Sequence, residues 1–152
     1  MQLSISAFTG DAPIPARFTC DGDNVSPALE WSDPPAGTLS YALVVDDPDA
    51  PGGVFRHWGA YNIDASAKGL DEGAGNRADT PFRQARNDFR RQGYGGPCPP
   101  RGDGAHRYRF TLMALDVSHL AVGASSGIED LERSARGHVL AQATVTATYE
   151  RN

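Results

Sequence analysis

Proline and glycine interrupt this chain at such short intervals that little of it can be helical. The 152 residues include 17 glycines and 11 prolines. Proline removes a backbone donor and clashes inside a helix, while glycine loses the most conformational entropy on being ordered there. The clearest helical pattern comes late, where Ile128, Leu131 and Ala135 recur at helical spacing before Gly137, with Ser126 and Glu129 at capping-box spacing ahead of them. Elsewhere the apolar residues follow the period of a strand.

Leu3, Ile5 and Ala7 alternate with Ser4 and Ser6, and Ala143, Val145, Ala147 and Tyr149 alternate with Gln142, Thr144, Thr146 and Thr148. Leu39–Val45 is apolar apart from Ser40, the pattern of a central buried strand. His57–Ile63 is a shorter aromatic strand, and Arg107–Leu115 places Tyr108, Phe110, Leu112 and Ala114 on one face. The proline-broken stretch Asp11–Pro35 reads as short edge strands joined by turns. Many strands, few helices and no βαβ alternation predict a mostly β fold, an antiparallel β-sandwich with a few short peripheral helices. The length suits one domain over residues 1–152 with one core.

A formal net charge of -5 argues against nucleic-acid binding, which needs a dense cationic face. Arg77, Arg83, Arg86, Arg90 and Arg91 form a local exception, read as a solvated set that stabilises a loop, the alternative being contact with a phosphorylated or acidic partner. No apolar run reaches the length of a membrane span, and the first residues lack the pattern of a signal peptide, so the chain is expected to be cytoplasmic. Cys20 and Cys98 are too few for a disulfide framework and lack zinc-site spacing. They read as two small buried thiols, with pairing left open by their polar, glycine-bearing surroundings.

The loop from Gly93 to Ala105 is stiffened by Pro97, Pro99 and Pro100, and delivers His106 and Tyr108 to the start of a strand. Upstream, Asp46-Asp47-Pro48-Asp49-Ala50-Pro51 precedes His57-Trp58. Two histidines at matching strand ends, with Asp47 to orient a ring and Tyr108 to add a hydroxyl, would suit a small anion. Asp46 and Asp49 are expected to solvate the turn or bond its backbone, and His119 and His138 to lie on the surface or at a helix end. No nucleophile elbow, zinc-protease motif, Walker loop or dinucleotide fingerprint is present, so a non-enzymatic role is expected. The catalytic alternative is a weak hydrolase using Cys98 and a histidine. Nothing in the histidine and aspartate spacing favours a metal triad over an anion pocket, and no cofactor is expected.

These same blocks carry a family resemblance. Asp47-Pro48-Asp49-Ala50-Pro51, His57-Trp58, and Gly96-Pro97-Cys98-Pro99-Pro100 through His106-Arg107-Tyr108 resemble the two signature blocks of the phosphatidylethanolamine-binding protein family, in the bacterial and archaeal branch related to the Raf kinase inhibitor proteins. Cys20-Asp21-Gly22-Asp23-Asn24-Val25-Ser26-Pro27 through Trp31 is similar to that branch's N-terminal block, and Arg86-Asn87-Asp88-Phe89 to the approach to its glycine-proline loop. Trp58 stands where eukaryotic members usually carry a second histidine, and Arg90 where bacterial relatives often carry glycine. The resemblance implies a two-sheet sandwich and a small pocket for phosphate, acetate or a phosphoethanolamine-like headgroup. Its residues carry over onto Asp47, His57, His106 and Tyr108, with Pro100 and Cys98 in the wall. It also implies the protein partners known for the family, kinases and proteases, met mainly through the surface. Exposed sandwich edges add a homodimer to the expected assemblies.

Overall fold

The computed structural model describes residues 1–152, and two antiparallel sheets account for most of its regular structure. In chain order the elements are β1 (Gln2–Ile5), β2 (Leu29–Ser32), β3 (Ser40–Asp47), β4 (Phe55–Asp64), β5 (Gly69–Leu70), β6 (Arg83–Gln84), β7 (His106–Leu115), α1 (Ile128–Ala135) and β8 (Val139–Tyr149). The smaller sheet runs β1-β2-β5 and the larger β6-β4-β3-β7-β8. The antiparallel sandwich expected from the alternation is therefore present.

The continuous apolar run of β3 has a simple cause: the strand is central and covered on both faces. Tyr41, Leu43 and Val45 join Ile5, Leu29, Trp31, Phe110 and Leu112 between the sheets. Ala42 and Val44 point the other way, into a second cluster with Met113, Ile128 and Leu131. The expected single core is thus two, because α1 lies on the outer face of the larger sheet. Gly59 on β4 makes room for that helix, since a Cβ there would come within 2.7 Å of Ile128 and 3.0 Å of Leu131.

Three local expectations need correction. Of the proline-rich stretch 11–35, only Leu29–Ser32 forms a strand, and Ala16–Phe18 is a 3-10 turn set up by Pro15. The first strand stops at Ile5. Ser126 does not cap the helix: Gly127 is the N-cap residue and makes no side-chain cap, while the Ser126 carbonyl accepts the backbone N–H of Arg86. Glu129 instead faces Arg56 at 3.2 Å, with Glu132 bonding the same guanidinium at 2.5 Å.

Candidate functional site

Antiparallel pairing brings three strand ends together. Asp47, the last residue of β3, lies opposite Phe55 at the start of β4, and Asp46 lies opposite Arg109 near the start of β7. Asp47, His57, His106 and Tyr108 meet at this end of the larger sheet, and Cys98 and Pro100 close over them from the loop before β7. All six line one cavity of about 140 Å³. Its other walls are Ala50, Pro51, Phe55, Phe89 and Pro99. His119 and His138 lie elsewhere, bonded to Ser118 and Asp116.

Asp47 is buried, and its carboxylate is fully engaged. One oxygen accepts His106 Nδ1–H at 2.7 Å and the other accepts the backbone N–H of Asp49 at 2.8 Å. His106 Nε2 lies 2.7 Å from a carboxylate oxygen of Asp103. Burial acts to lower the pKa of this ring, but the two carboxylates outweigh it and raise the pKa above the ordinary value. His106 is thus held between Asp47 and Asp103 with both ring nitrogens committed. It is not the uncommitted donor that the sequence suggests, because Asp103 had no signal of its own in the Gly102-Asp103-Gly104 turn.

His57 behaves in the opposite way. Burial lowers its pKa, despite the Gly95 carbonyl and Asp47, which raise it. Its Nδ1–H donates to the Gly95 carbonyl at 2.6 Å, so the neutral ring keeps a lone pair on Nε2. The imidazole packs against Phe55, Phe89 and Tyr108, with ring centroids 4.9, 5.4 and 5.3 Å away. Gly95 is required by this stack, for a Cβ there would fall 2.4 Å from the Phe89 ring. Phe55 and Phe89 escaped the sequence reading because a phenylalanine signals core and wall alike.

Tyr108 completes the arrangement. Its hydroxyl is buried and has no hydrogen-bond partner. Burial first, and then the charge of Asp47, push the phenol far above its ordinary pKa, so it stays protonated. Asp47 acts on it by proximity without making a hydrogen bond of adequate geometry. A buried donor without an acceptor is uncommon and costly.

The neighbouring acids have structural work. Asp49 forms a two-pronged contact with Arg107 at 2.9 and 2.8 Å, and Asp46 does the same with Arg109 at 2.7 and 2.9 Å. These clamps tie the turn after β3 to β7, a role more specific than solvating the turn. No group of His, Cys, Asp and Glu side chains is arranged to hold a metal ion.

Cys20 and Cys98 are joined in a disulfide, their Cα atoms 5.4 Å apart. The backbone brings them together: Cys20 N–H donates to the Pro97 carbonyl at 3.1 Å and Gly96 N–H to Asn24 Oδ1 at 2.8 Å. This corrects the reading of two thiols. It also removes the hydrolase reading for this oxidised form, since Cys98 sulfur is bonded to Cys20 and has no thiolate to offer. The disulfide instead staples the cavity's proline-rich wall to the segment after the 3-10 turn.

Comparison with known proteins agrees with this architecture. The family model described as phosphatidylethanolamine-binding protein matches residues 4–150. A UPF0098 protein of Aquifex aeolicus is 42% identical, the match covering 100% of this chain and 90% of the relative. The putative lipoprotein LppC of Mycobacterium tuberculosis is 43% identical over 99% of this chain and 72% of its own length. The crystal structure of Escherichia coli YbcL, described as a new member of the mammalian PEBP family, superposes with a TM-score of 0.94 at 35% identity, covering 99% of this chain and 98% of that one. The chain belongs to the phosphatidylethanolamine-binding protein family.

Proposed function

We propose that this chain is a non-catalytic binding protein whose cavity at Asp47, His57, His106 and Tyr108 takes one small oxyanion, a phosphate, a phosphoryl headgroup or a carboxylate. The observation that carries the reading is the buried, protonated and unpartnered hydroxyl of Tyr108. An oxyanion in the cavity would accept that O–H. It would also face His57 Nε2, which becomes a second donor once protonated. Asp47 and Asp103 occupy both ring nitrogens of His106, so His106 fixes the buried carboxylate beside the site and offers the anion no direct hydrogen bond. The small volume and apolar walls suit a headgroup and leave no enclosed space for acyl chains.

Val54 and Phe89 are exposed, and Phe89 stands on the cavity wall. A protein partner of the kind expected for the family, a kinase or a protease, would contact this rim. The disulfide favours an oxidising compartment over the cytoplasm. No helix is long and apolar enough to cross a membrane.

The test follows the histidine ring signals by NMR during addition of phosphate and then phosphoethanolamine. Saturable shifts of His57 and His106, with His119 and His138 unmoved, are expected. Tyr108→Phe removes only the donor and should weaken binding about tenfold. Absence of selective shifts, or unchanged affinity in Tyr108→Phe, would sink the assignment.

A further inference from the structure

Arg77, Arg83 and Arg91 converge on a cleft of about 460 Å³, more than three times the volume of the cavity at His57. They arrive from three separate segments: Arg77 follows the 3-10 turn Ala74–Asn76, Arg83 lies on β6, and Arg91 precedes the glycine-rich loop. Backbone bonds fix those segments to one another. Tyr94 N–H donates to the Gly75 carbonyl at 2.9 Å, and β6 pairs with Tyr61 of β4. Gln84 braces the wall, accepting Trp58 Nε1–H at 2.7 Å and donating to the Arg77 carbonyl at 3.0 Å.

No aspartate or glutamate lines this cleft. That is unexpected in a chain of net charge -5. Arg17, Arg56, Arg107, Arg109, Arg133 and Arg151 each pair with a carboxylate. Arg77, Arg83 and Arg91 pair with none; Arg86, Arg90, Arg101 and Arg136 are unpaired as well, but only these three share one concave cleft. Cations gathered around a concave wall focus a positive potential, and guanidinium forks match phosphate oxygens two at a time. A volume within the roughly 300–1,000 Å³ range of small-molecule sites admits a ligand larger than one headgroup.

We infer that this cleft is a second anion site, distinct from the cavity at His57, and that it takes a small polyanion with two or more linked phosphate groups. Spread phosphates would satisfy separated arginines together, whereas one orthophosphate would engage them only in part. The chain of phosphates has two sources, a free oligophosphate or the tail of a nucleotide.

Tripolyphosphate, orthophosphate and a nucleoside triphosphate, titrated separately into the 15N-labelled protein, test this. Arginine Nε–H signals report the cleft and histidine ring signals report the cavity, so each site succeeds or fails on its own residues. Tripolyphosphate should shift Arg77, Arg83 and Arg91 saturably, with at least about tenfold higher affinity there than orthophosphate, and added salt should weaken it. The double variant Arg83→Gln/Arg91→Gln alters exposed side chains and should fold normally. It should weaken tripolyphosphate binding by about tenfold or more, leaving the phosphate response of His57 unchanged. Tighter binding of the nucleoside triphosphate identifies the nucleotide as the source, and equal binding identifies the phosphate chain alone. Non-saturating arginine shifts, equal affinity for orthophosphate, or a double variant that binds as the parent does would overturn the proposal.

Discussion

Opening the Cys20–Cys98 disulfide should destabilise the fold more than it disturbs its geometry. The cysteines are separated by 78 positions. In the chain-entropy description a closed loop of that length removes about 15 cal/mol/K from the unfolded ensemble, or roughly 4.5 kcal/mol at 25 °C. Measured losses are often smaller, because reduced chains keep some residual order, so about 2–4.5 kcal/mol is expected. With a urea slope of about 2 kcal/mol/M, the unfolding midpoint should fall by about 1–2 M on reduction. Trp31 and Trp58 are both buried and supply the fluorescence signal. Cys20→Ser/Cys98→Ser should reproduce the shift without reductant. The backbone contacts of Cys20 with Pro97 and of Gly96 with Asn24 do not need the sulfur bond, so the folded double variant should keep its strand pairings. An unchanged midpoint, or alkylation of both cysteines in unreduced, unfolded protein, would refute the reasoning and restore the two-thiol reading.

Two further outcomes follow from buried contacts. Asp47→Asn should lower the His106 pKa, read from the ring's NMR titration, and cost roughly 1–3 kcal/mol. In the parent, the raised pKa of His106 contributes stability that is fully present below the unfolded value near 6.5 and is lost as pH rises through the folded pKa. His57 has the opposite sign: its depressed pKa costs stability as pH falls from about 6.5 through the folded value. Urea midpoints across that range should therefore lose the His106 contribution in Asp47→Asn while keeping the acid-side penalty of His57; an unaltered His106 titration would contradict the pairing. Gly59→Ala should push α1 off β4 and cost about 1–3 kcal/mol, partly recovered by Ile128→Ala, as urea unfolding would show. A neutral substitution would mean that the helix is not seated there.

The fold was legible wherever burial imposes a period. β7 carries alternation with a buried face, β8 the same alternation with a half-buried one, and β3 the apolar run Tyr41–Val45 of a strand covered twice. What could not be read was which element covers the second face of β3, since Ile128 and Leu131 advertise a helix with an apolar side but not its docking place. Asp47, His57, His106 and Tyr108 were legible through residue type and the stiff loop, and Cys98 and Pro100 through the family resemblance; all six line one cavity. Their protonation was not legible. It depends on Asp103 and the Gly95 carbonyl, whose roles arise only from loop geometry. The disulfide was undecidable for the same reason, as 78 positions of sequence say nothing about a 5.4 Å separation.

On the proposed reading, the two histidines would let a cavity beside buried acid receive an anion. Asp47 and Asp103 take both ring nitrogens of His106 and raise its pKa, so the charge of its protonated form is already answered. His57, kept neutral by burial, is the remaining group able to change charge within the cavity. A bound oxyanion at its Nε2 would favour the imidazolium and raise the depressed pKa, so binding would take up a proton. Affinity should accordingly rise as pH falls from the bound-state pKa of His57 and level off below its free-state pKa. Calorimetry in buffers of different ionisation enthalpy measures that proton directly. Proton uptake retained in His57→Gln would place the titrating group elsewhere, whereas its loss would identify His57 as the residue that matches the cavity's charge to its ligand.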